Sequence, residues 1–171
     1  VTTARNFLVS GVTEAMLKSL SALGVQWELD GATLTVNGLG LGVQKDLQPA
    51  FLDCGNSATT LRLLAGASTA WGRKVVLDGT PGLRRRPMGR IIAPLQQMGA
   101  VIESQEGRAP LKIGGSTRPL RPLCWEVPVA SAQVKSCLLL AGLVADGPTE
   151  LSEPGPSRDH TERMLRAMGV D

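Results

Sequence analysis

Apolar residues recur along this chain at two spacings. Helical spacing appears three times ahead of a glycine: Met16-Leu17-Lys18-Ser19-Leu20-Ser21-Ala22-Leu23-Gly24, Pro94-Leu95-Gln96-Gln97-Met98-Gly99 and Met164-Leu165-Arg166-Ala167-Met168-Gly169. Each glycine fits the C′ position that closes a short amphipathic helix. Strand-like runs follow the first two. Gln26-Trp27-Glu28-Leu29 and Thr33-Leu34-Thr35-Val36 flank Asp30-Gly31, and Val101-Ile102-Glu103 and Leu111-Lys112-Ile113 flank Glu106-Gly107. Both read as hairpins. A second helix type spans 57–70 and 130–145. Each time a strand follows, Lys74-Val75-Val76-Leu77-Asp78 or Thr149-Glu150-Leu151-Ser152. The closing glycines stand about 70–75 residues apart, so the pattern predicts an α/β fold of repeated helix-strand-helix-hairpin units sharing a core. Gly79-Thr80-Pro81-Gly82 and Glu153-Pro154-Gly155-Pro156 mark joints between elements.

The first unit begins at a strand, 3–8, with no helix before it, and the third stops where its hairpin is expected. Uncovered sheet edges and apolar faces predict units that are incomplete at both ends, cut from a larger protein.

Composition narrows the function classes. Hydrophobic residues make up 43% and charged ones 19%, an ordinary globular balance. The net charge of +3 and the pI near 9.0 reflect chiefly the run 84–90. Aromatic residues are 3% with no Tyr, which leaves no base-stacking platform, so no nucleic-acid partner is expected. The cysteines, Cys54, Cys124 and Cys137, are odd in number and lack metal-ligand spacing. Neither a zinc site nor a disulfide framework is expected, and a reducing cytoplasm is the default location. The longest apolar helix candidate, Val134 to Val144, carries Lys135 and Ser136 and is too short for a bilayer, so no membrane partner is expected.

Candidate chemistry lies in four segments. Asp53-Cys54-Gly55-Asn56-Ser57-Ala58-Thr59-Thr60-Leu61-Arg62 is a glycine turn feeding a helix start. Asn56, Ser57 or Thr59 can cap that helix, whose first N–H groups lack intrahelical partners and suit an anion. Val129-Ala130-Ser131-Ala132-Gln133-Val134-Lys135-Ser136 stands at the same place in the next unit, so two helix N-termini can converge on one ligand. Ser131 can donate to a phosphate oxygen and Gln133 can reach a hydroxyl or carboxylate. Lys135 reads equally as a solvated charge or as one standing behind the site. In Leu83-Arg84-Arg85-Arg86-Pro87-Met88-Gly89-Arg90 the charges repel one another, so at least one arginine is expected on an anion or an internal carboxylate. Pro87, read as a helix start, fixes the backbone beside Arg86 and makes Arg86 the best bidentate clamp. In Ser157-Arg158-Asp159-His160-Thr161, Ser157 reads as a helix cap and His160 as a structural or hydrogen-bonding group. Arg158 can turn toward the anion site or pair with Asp159.

These four segments, in this order and spacing, closely resemble the 5-enolpyruvylshikimate-3-phosphate synthase family. The resemblance runs through nearly the whole chain. It implies transfer of the enolpyruvyl group of phosphoenolpyruvate to the 5-hydroxyl of shikimate 3-phosphate with release of phosphate, in the shikimate pathway to chorismate, without a cofactor or metal. It implies a fold of two similar domains, each of three repeated units, with residues 1–171 forming most of the N-terminal-type domain and the second domain absent. Ser131, Ala132 and Gln133 then look like shikimate 3-phosphate contacts, with Gln133 near both substrates, and Arg158 like a further one. Arg86 looks like a phosphoenolpyruvate ligand, and Asn56, Ser57, Ala58 and Thr59 would line its pocket. Gln133 and Arg86 are the catalytic candidates.

Departures from the family pattern carry their own expectations. A Lys-Ser pair and a nearby Arg that the family places before the first strand are missing, as are the second domain's proton-transfer residues and cations. The resemblance thus implies a catalytically silent portion of an enzyme, completed by a complementing chain or by the rest of a longer product. A non-catalytic phospho-metabolite module is the alternative from another class. The related family that acts on UDP-N-acetylglucosamine carries a Cys-bearing loop, whereas Pro81-Gly82-Leu83-Arg84-Arg85-Arg86-Pro87 has none. At Ser10-Gly11-Val12-Thr13 the usual acidic residues are missing, which predicts a weaker cap on the first helix. Ala58 replaces the family's usual glycine; its methyl hinders a longer inhibitor more than the smaller substrate, implying a glyphosate-tolerant class weakly inhibited by glyphosate.

Overall fold

The computed structural model describes residues 1–40, 48–114 and 119–170. It opens with strand β1 (Thr2–Ala4), helix α1 (Gly11–Ala22) and a hairpin of β2 (Gln26–Asp30) and β3 (Thr33–Asn37). β3 lies between β1 and β2, antiparallel to both. Strand β4 (Ala50–Asp53) leads through helix α2 (Ala58–Trp71) into β5 (Val75–Asp78). A one-turn helix α3 (Pro81–Arg84) and helix α4 (Gly89–Gln97) precede the hairpin β6 (Ile102–Gln105) and β7 (Arg108–Ile113). These strands form one sheet, ordered β4-β5-β7-β6. Strands β8 (Leu123–Glu126) and β9 (Thr149–Ser152) flank helix α5 (Ala132–Gly142), and α6 (His160–Ala167) follows.

The repeat has the expected α/β form with one addition. A strand precedes each buried helix, so β4 runs parallel to β5 and β8 parallel to β9. The parallel pairs require a crossover, which α2 and α5 provide. Leu123–Glu126 escaped the sequence reading because the prolines around it, Pro119, Pro122 and Pro128, mark a joint rather than an element. The strand expected over 3–8 is confined to Thr2–Ala4.

The closing glycines behave as their sequence predicts, and identically. Gly24, Gly99 and Gly169 have φ of 85°, 104° and 81°. After each, an N–H reaches back to a carbonyl five residues earlier: Val25 to Leu20, Ala100 to Leu95 and Val170 to Leu165, at 2.9–3.0 Å. This double-turn cap needs a left-handed residue that only glycine supplies cheaply. The first helix is not poorly capped, contrary to expectation. Ser10 Oγ accepts from the Thr13 N–H at 3.4 Å, and Thr13 Oγ1 accepts from the Ser10 N–H at 2.8 Å. Thr13 thus does what an acidic residue would do there.

The core lies between the four-stranded sheet and helices α2, α4 and α5. Leu52, Leu61, Leu77, Leu83, Met88, Ile91, Leu95 and Leu138 are completely buried, each stabilising the fold by roughly 1.5–3 kcal/mol before conformational entropy is subtracted. Helices α2 and α5 pack tightly at Gly66, where a Cβ would lie 2.1 Å from the Cys137 carbonyl oxygen. That contact sets the spacing of the two helices and, one turn earlier, the spacing of the side chains at their starts.

Candidate active site between two helix starts

Helices α2 and α5 begin side by side. Ser57 caps α2, its Oγ accepting from Thr60 N at 3.0 Å, and Ser131 caps α5 through a longer 3.5 Å bond to Val134 N. Each serine serves the N–H three residues on, which leaves the first N–H groups of both helices for a ligand. The side chains of the first turns interlock. Gln133 Nε2 donates to Thr59 Oγ1 at 2.8 Å, and Arg62 Nη1 donates to Gln133 Oε1 at 2.5 Å.

A cavity of about 450 Å³ opens there, lined by Arg62, Ser131, Ala132, Gln133, Ser157 and Arg158 among others. An adjoining hollow of about 240 Å³ adds Thr59, Ser136, His160 and Thr161. The predicted residues Ser131, Ala132, Gln133, Arg158 and Thr59 therefore meet in one place. Asn56, Ser57, Ala58 and Arg86 do not line it. Asn56 instead accepts from Thr80 Oγ1 at 3.1 Å, while Ser57 and Ala58 are buried at the start of α2. A groove of about 410 Å³ between α5 and α6 is lined largely by Leu139, Leu143, Leu165 and Val170 and gathers no comparable cluster of charge.

Arg62 is the residue that the sequence reading passed over. It is 9% exposed, and its guanidinium meets only neutral acceptors, Gln133 Oε1 and the Pro87 carbonyl at 3.1 Å. Among the described residues no carboxylate pairs with it. Burial pulls its pKa down, and the neighbouring Arg90 and Arg86 charges pull it further. A buried guanidinium with further arginines nearby favours an anionic neighbour over a cationic one. Its signal was a lone arginine within an apolar helical run.

The arginine run divides its work. Arg84 makes a bidentate pair with Asp78, through Nε at 2.9 Å and Nη2 at 2.5 Å, and this bond holds the Asp78 carboxyl below its ordinary range. That is the internal carboxylate the crowding predicted. Arg86 is exposed and free to meet a ligand, whereas Pro87 lies before the cap residue Met88 rather than opening α4. Pro87 serves through its carbonyl, which receives Arg62.

Two open alternatives are resolved and one expectation changes. Lys135 is neither solvated nor idle: its Nζ lies 3.1 Å from Glu153 Oε2 and 2.6 Å from Glu162 Oε1, its side chain only 13% exposed. Burial lowers its pKa, but the two carboxylates outweigh that and raise it. Ser157 does not cap α6; Asp159 occupies that position, and Ser157 Oγ bonds Glu153 instead. No ion pair joins Arg158 to Asp159 among the described residues. Arg158 is left for the cavity.

The cysteines offer no nucleophile here. Burial pushes the Cys54 and Cys137 thiols up to about 12, and Cys124 is free and exposed on β8, outside the cavity lining. No helix among the described residues is long and apolar enough to cross a membrane.

Comparison with known proteins identifies relatives of this chain. A 3-phosphoshikimate 1-carboxyvinyltransferase of Ruthia magnifica subsp. Calyptogena magnifica is 48% identical over 170 residues, which is 99% of this chain and 38% of the relative. One from Thermus thermophilus is 48% identical over 166 residues, 95% of this chain and 38% of the relative. The chain thus spans about two-fifths of the length of these relatives. The solved EPSP synthase of Acinetobacter baumannii superposes with a TM-score of 0.89 at 41% identity, covering 99% of this chain and 39% of that one. The enolpyruvyl transferase NikO of Streptomyces tendae, at 16% identity and a TM-score of 0.59, shares the fold over 92% of this chain and 35% of that one. Residues 1–171 match the family described as EPSP synthase (3-phosphoshikimate 1-carboxyvinyltransferase), and the chain belongs to that family.

Proposed function

We propose that the protein containing this chain transfers the enolpyruvyl group of phosphoenolpyruvate to the 5-hydroxyl of shikimate 3-phosphate, releasing phosphate. The observation that carries this reading is Arg62, a buried cation with no carboxylate partner among the described residues, beside a cavity walled by two helix starts and Arg158. Ser131, Ala132, Gln133 and Arg158 take the shikimate 3-phosphate, and Gln133 stands between the two substrates. Arg86, with Asn56 to Thr59, serves phosphoenolpyruvate. The reaction needs a proton delivered to the methylene of phosphoenolpyruvate while the hydroxyl attacks its C2. This chain contributes charge and orientation. Among the described residues the cavity lining contains no carboxylate; in this reading the proton-transfer groups come from a second domain, and residues 1–171 are most of the N-terminal-type domain.

Ala58, where the family pattern has glycine, supports reading the enzyme as one of a glyphosate-tolerant class. It is the first residue of α2, between the cap Ser57 and Thr59 of the cavity, and is 3% exposed, so its methyl acts on the packing of that first turn. A UDP-N-acetylglucosamine substrate is disfavoured by the cysteine-free loop at 81–87. The test is turnover: the isolated chain forms no enolpyruvyl product, and addition of the remaining domain restores it. Product from the isolated chain alone, or none after reassembly, contradicts the proposal.

A further inference from the structure

We infer that Glu153 is a positioning residue that fixes both walls of the anion cavity, an inference that rests on the ligand reading above. Glu153 does not line the cavity; it stands behind it. Its Oε1 accepts from the Ser131 backbone N–H at 2.9 Å and lies 3.0 Å from Ser157 Oγ. Its Oε2 lies 2.7 Å from Ser157 Oγ and accepts from Lys135 Nζ at 3.1 Å. Ser131 and Ser157 are the wall residues, one at the start of α5 and the other in the loop that carries Arg158.

The bond to Ser131 has a specific logic. A helix start is fixed when an acidic side chain three residues past the cap accepts the cap residue's own N–H. In α5 that position is Val134, which cannot accept. Glu153, from the β9–α6 loop, supplies the missing acceptor across the chain, and the α5 start becomes tied to the loop of Ser157 and Arg158. Lys135 neutralises Glu153 from the next turn of α5 and reaches Glu162 on α6, so the clasp joins α5, the loop and α6. A buried ion pair alone is weak evidence of stability. The donors around Glu153 point instead to geometry.

The test uses the isotope-labelled chain titrated with shikimate 3-phosphate and followed through its backbone amides. Glu153→Gln is compared with Glu162→Gln, which removes the same charge and also one Lys135 partner but touches neither wall. We expect Glu153→Gln to raise the dissociation constant about tenfold, the equivalent of one charge-assisted hydrogen bond. Glu162→Gln should stay within about twofold of the parent. Equal weakening by both variants, or none by Glu153→Gln, overturns the inference. If Glu153→Gln loses its folded spectrum, Glu153→Asp keeps the charge and shortens the reach; parent affinity in that variant is likewise contrary. A parent chain that does not respond to the ligand defeats the ligand reading instead. The clasp is then decided by Ser131 amide exchange without ligand, which speeds up in Glu153→Gln if the carboxylate holds it and is unchanged if it does not.

Discussion

Arg62 and Gln133, 71 residues apart in sequence, meet at 2.5 Å where the first turns of α2 and α5 touch. The bond orients the amide: its oxygen faces the guanidinium, and its nitrogen donates to Thr59 at 2.8 Å. Gln133 is thereby held by both of its polar atoms, and the buried charge of Arg62 sits at the edge of the cavity.

Replacing Arg62 by Met should separate binding from stability. The variant loses two hydrogen bonds from a charged donor, roughly 1.5–3 kcal/mol each, but also removes a cation whose desolvation costs several kcal/mol, so the net stability change should be small. Affinity for shikimate 3-phosphate should fall about tenfold or more, since a charge-assisted contact is lost and Gln133 is released. Denaturant unfolding alongside ligand titration checks both halves. A variant that unfolds readily yet binds normally would make Arg62 a packing residue only.

Gly66→Ala tests the packing beneath the site. The new Cβ would lie 2.1 Å from backbone at Cys137, an atom that cannot rotate away. Separating α2 from α5 should cost roughly 1–3 kcal/mol, as overpacking typically does. The Arg62–Gln133 bond, one turn away, should lengthen with it. Urea midpoints at constant slope measure the first effect, and loss of ligand-induced shifts at Gln133 reports the second.

The helix ends, both hairpins and the small hydroxyl residues at two helix starts were legible because each is encoded within a few adjacent residues. Gly24, Gly99 and Gly169 are needed where the chain turns left-handed, and the first hairpin turns at Gly31-Ala32, one residue later than Asp30-Gly31 suggests. Arg62 was hidden inside an apolar run, where nothing local marks a charge as unpaired. Glu153 was hidden because two of its partners, Lys135 and Ser131, lie 18 and 22 residues away and come together with it only when β9 pairs with β8. The role of Pro87 was misread for a related reason: α4 starts two residues later than its proline suggests, with Met88 as the cap residue.

Acid should loosen the fold through two named carboxylates. Asp78 is held below its ordinary range by Arg84. Glu153 is lowered as well: burial pushes it up, but bonds from Ser157, the Ser131 N–H and Lys135 outweigh that. A carboxyl lowered in the folded state contributes its stability fully above its unfolded value, about 3.9 for Asp and 4.3 for Glu, and loses it as pH falls through the folded value. Stability should therefore be level near neutrality and decline below about pH 4. Asp78→Asn should lower stability at pH 7 and flatten that acid limb. An unaltered acid limb would show that the Arg84 pair does not govern it.

Ala58→Gly should increase glyphosate inhibition of the complete enzyme. Removing the methyl from the first residue of α2 lets that turn approach a ligand more closely and loosens its packing. Inhibition constants measured side by side at matched phosphoenolpyruvate check this. Equal sensitivity would detach the tolerance reading from position 58.

The central claim is that the start of α2, the start of α5 and the Ser157–Arg158 loop form one anion site around Arg62. Titrating the labelled chain with shikimate 3-phosphate tests it most directly. The account predicts saturable amide shifts concentrated at Thr59, Ser131, Ala132, Gln133 and Arg158 that are lost in Arg62→Met. Shifts confined to the exposed run at 84–90, or a response unchanged by Arg62→Met, would contradict it.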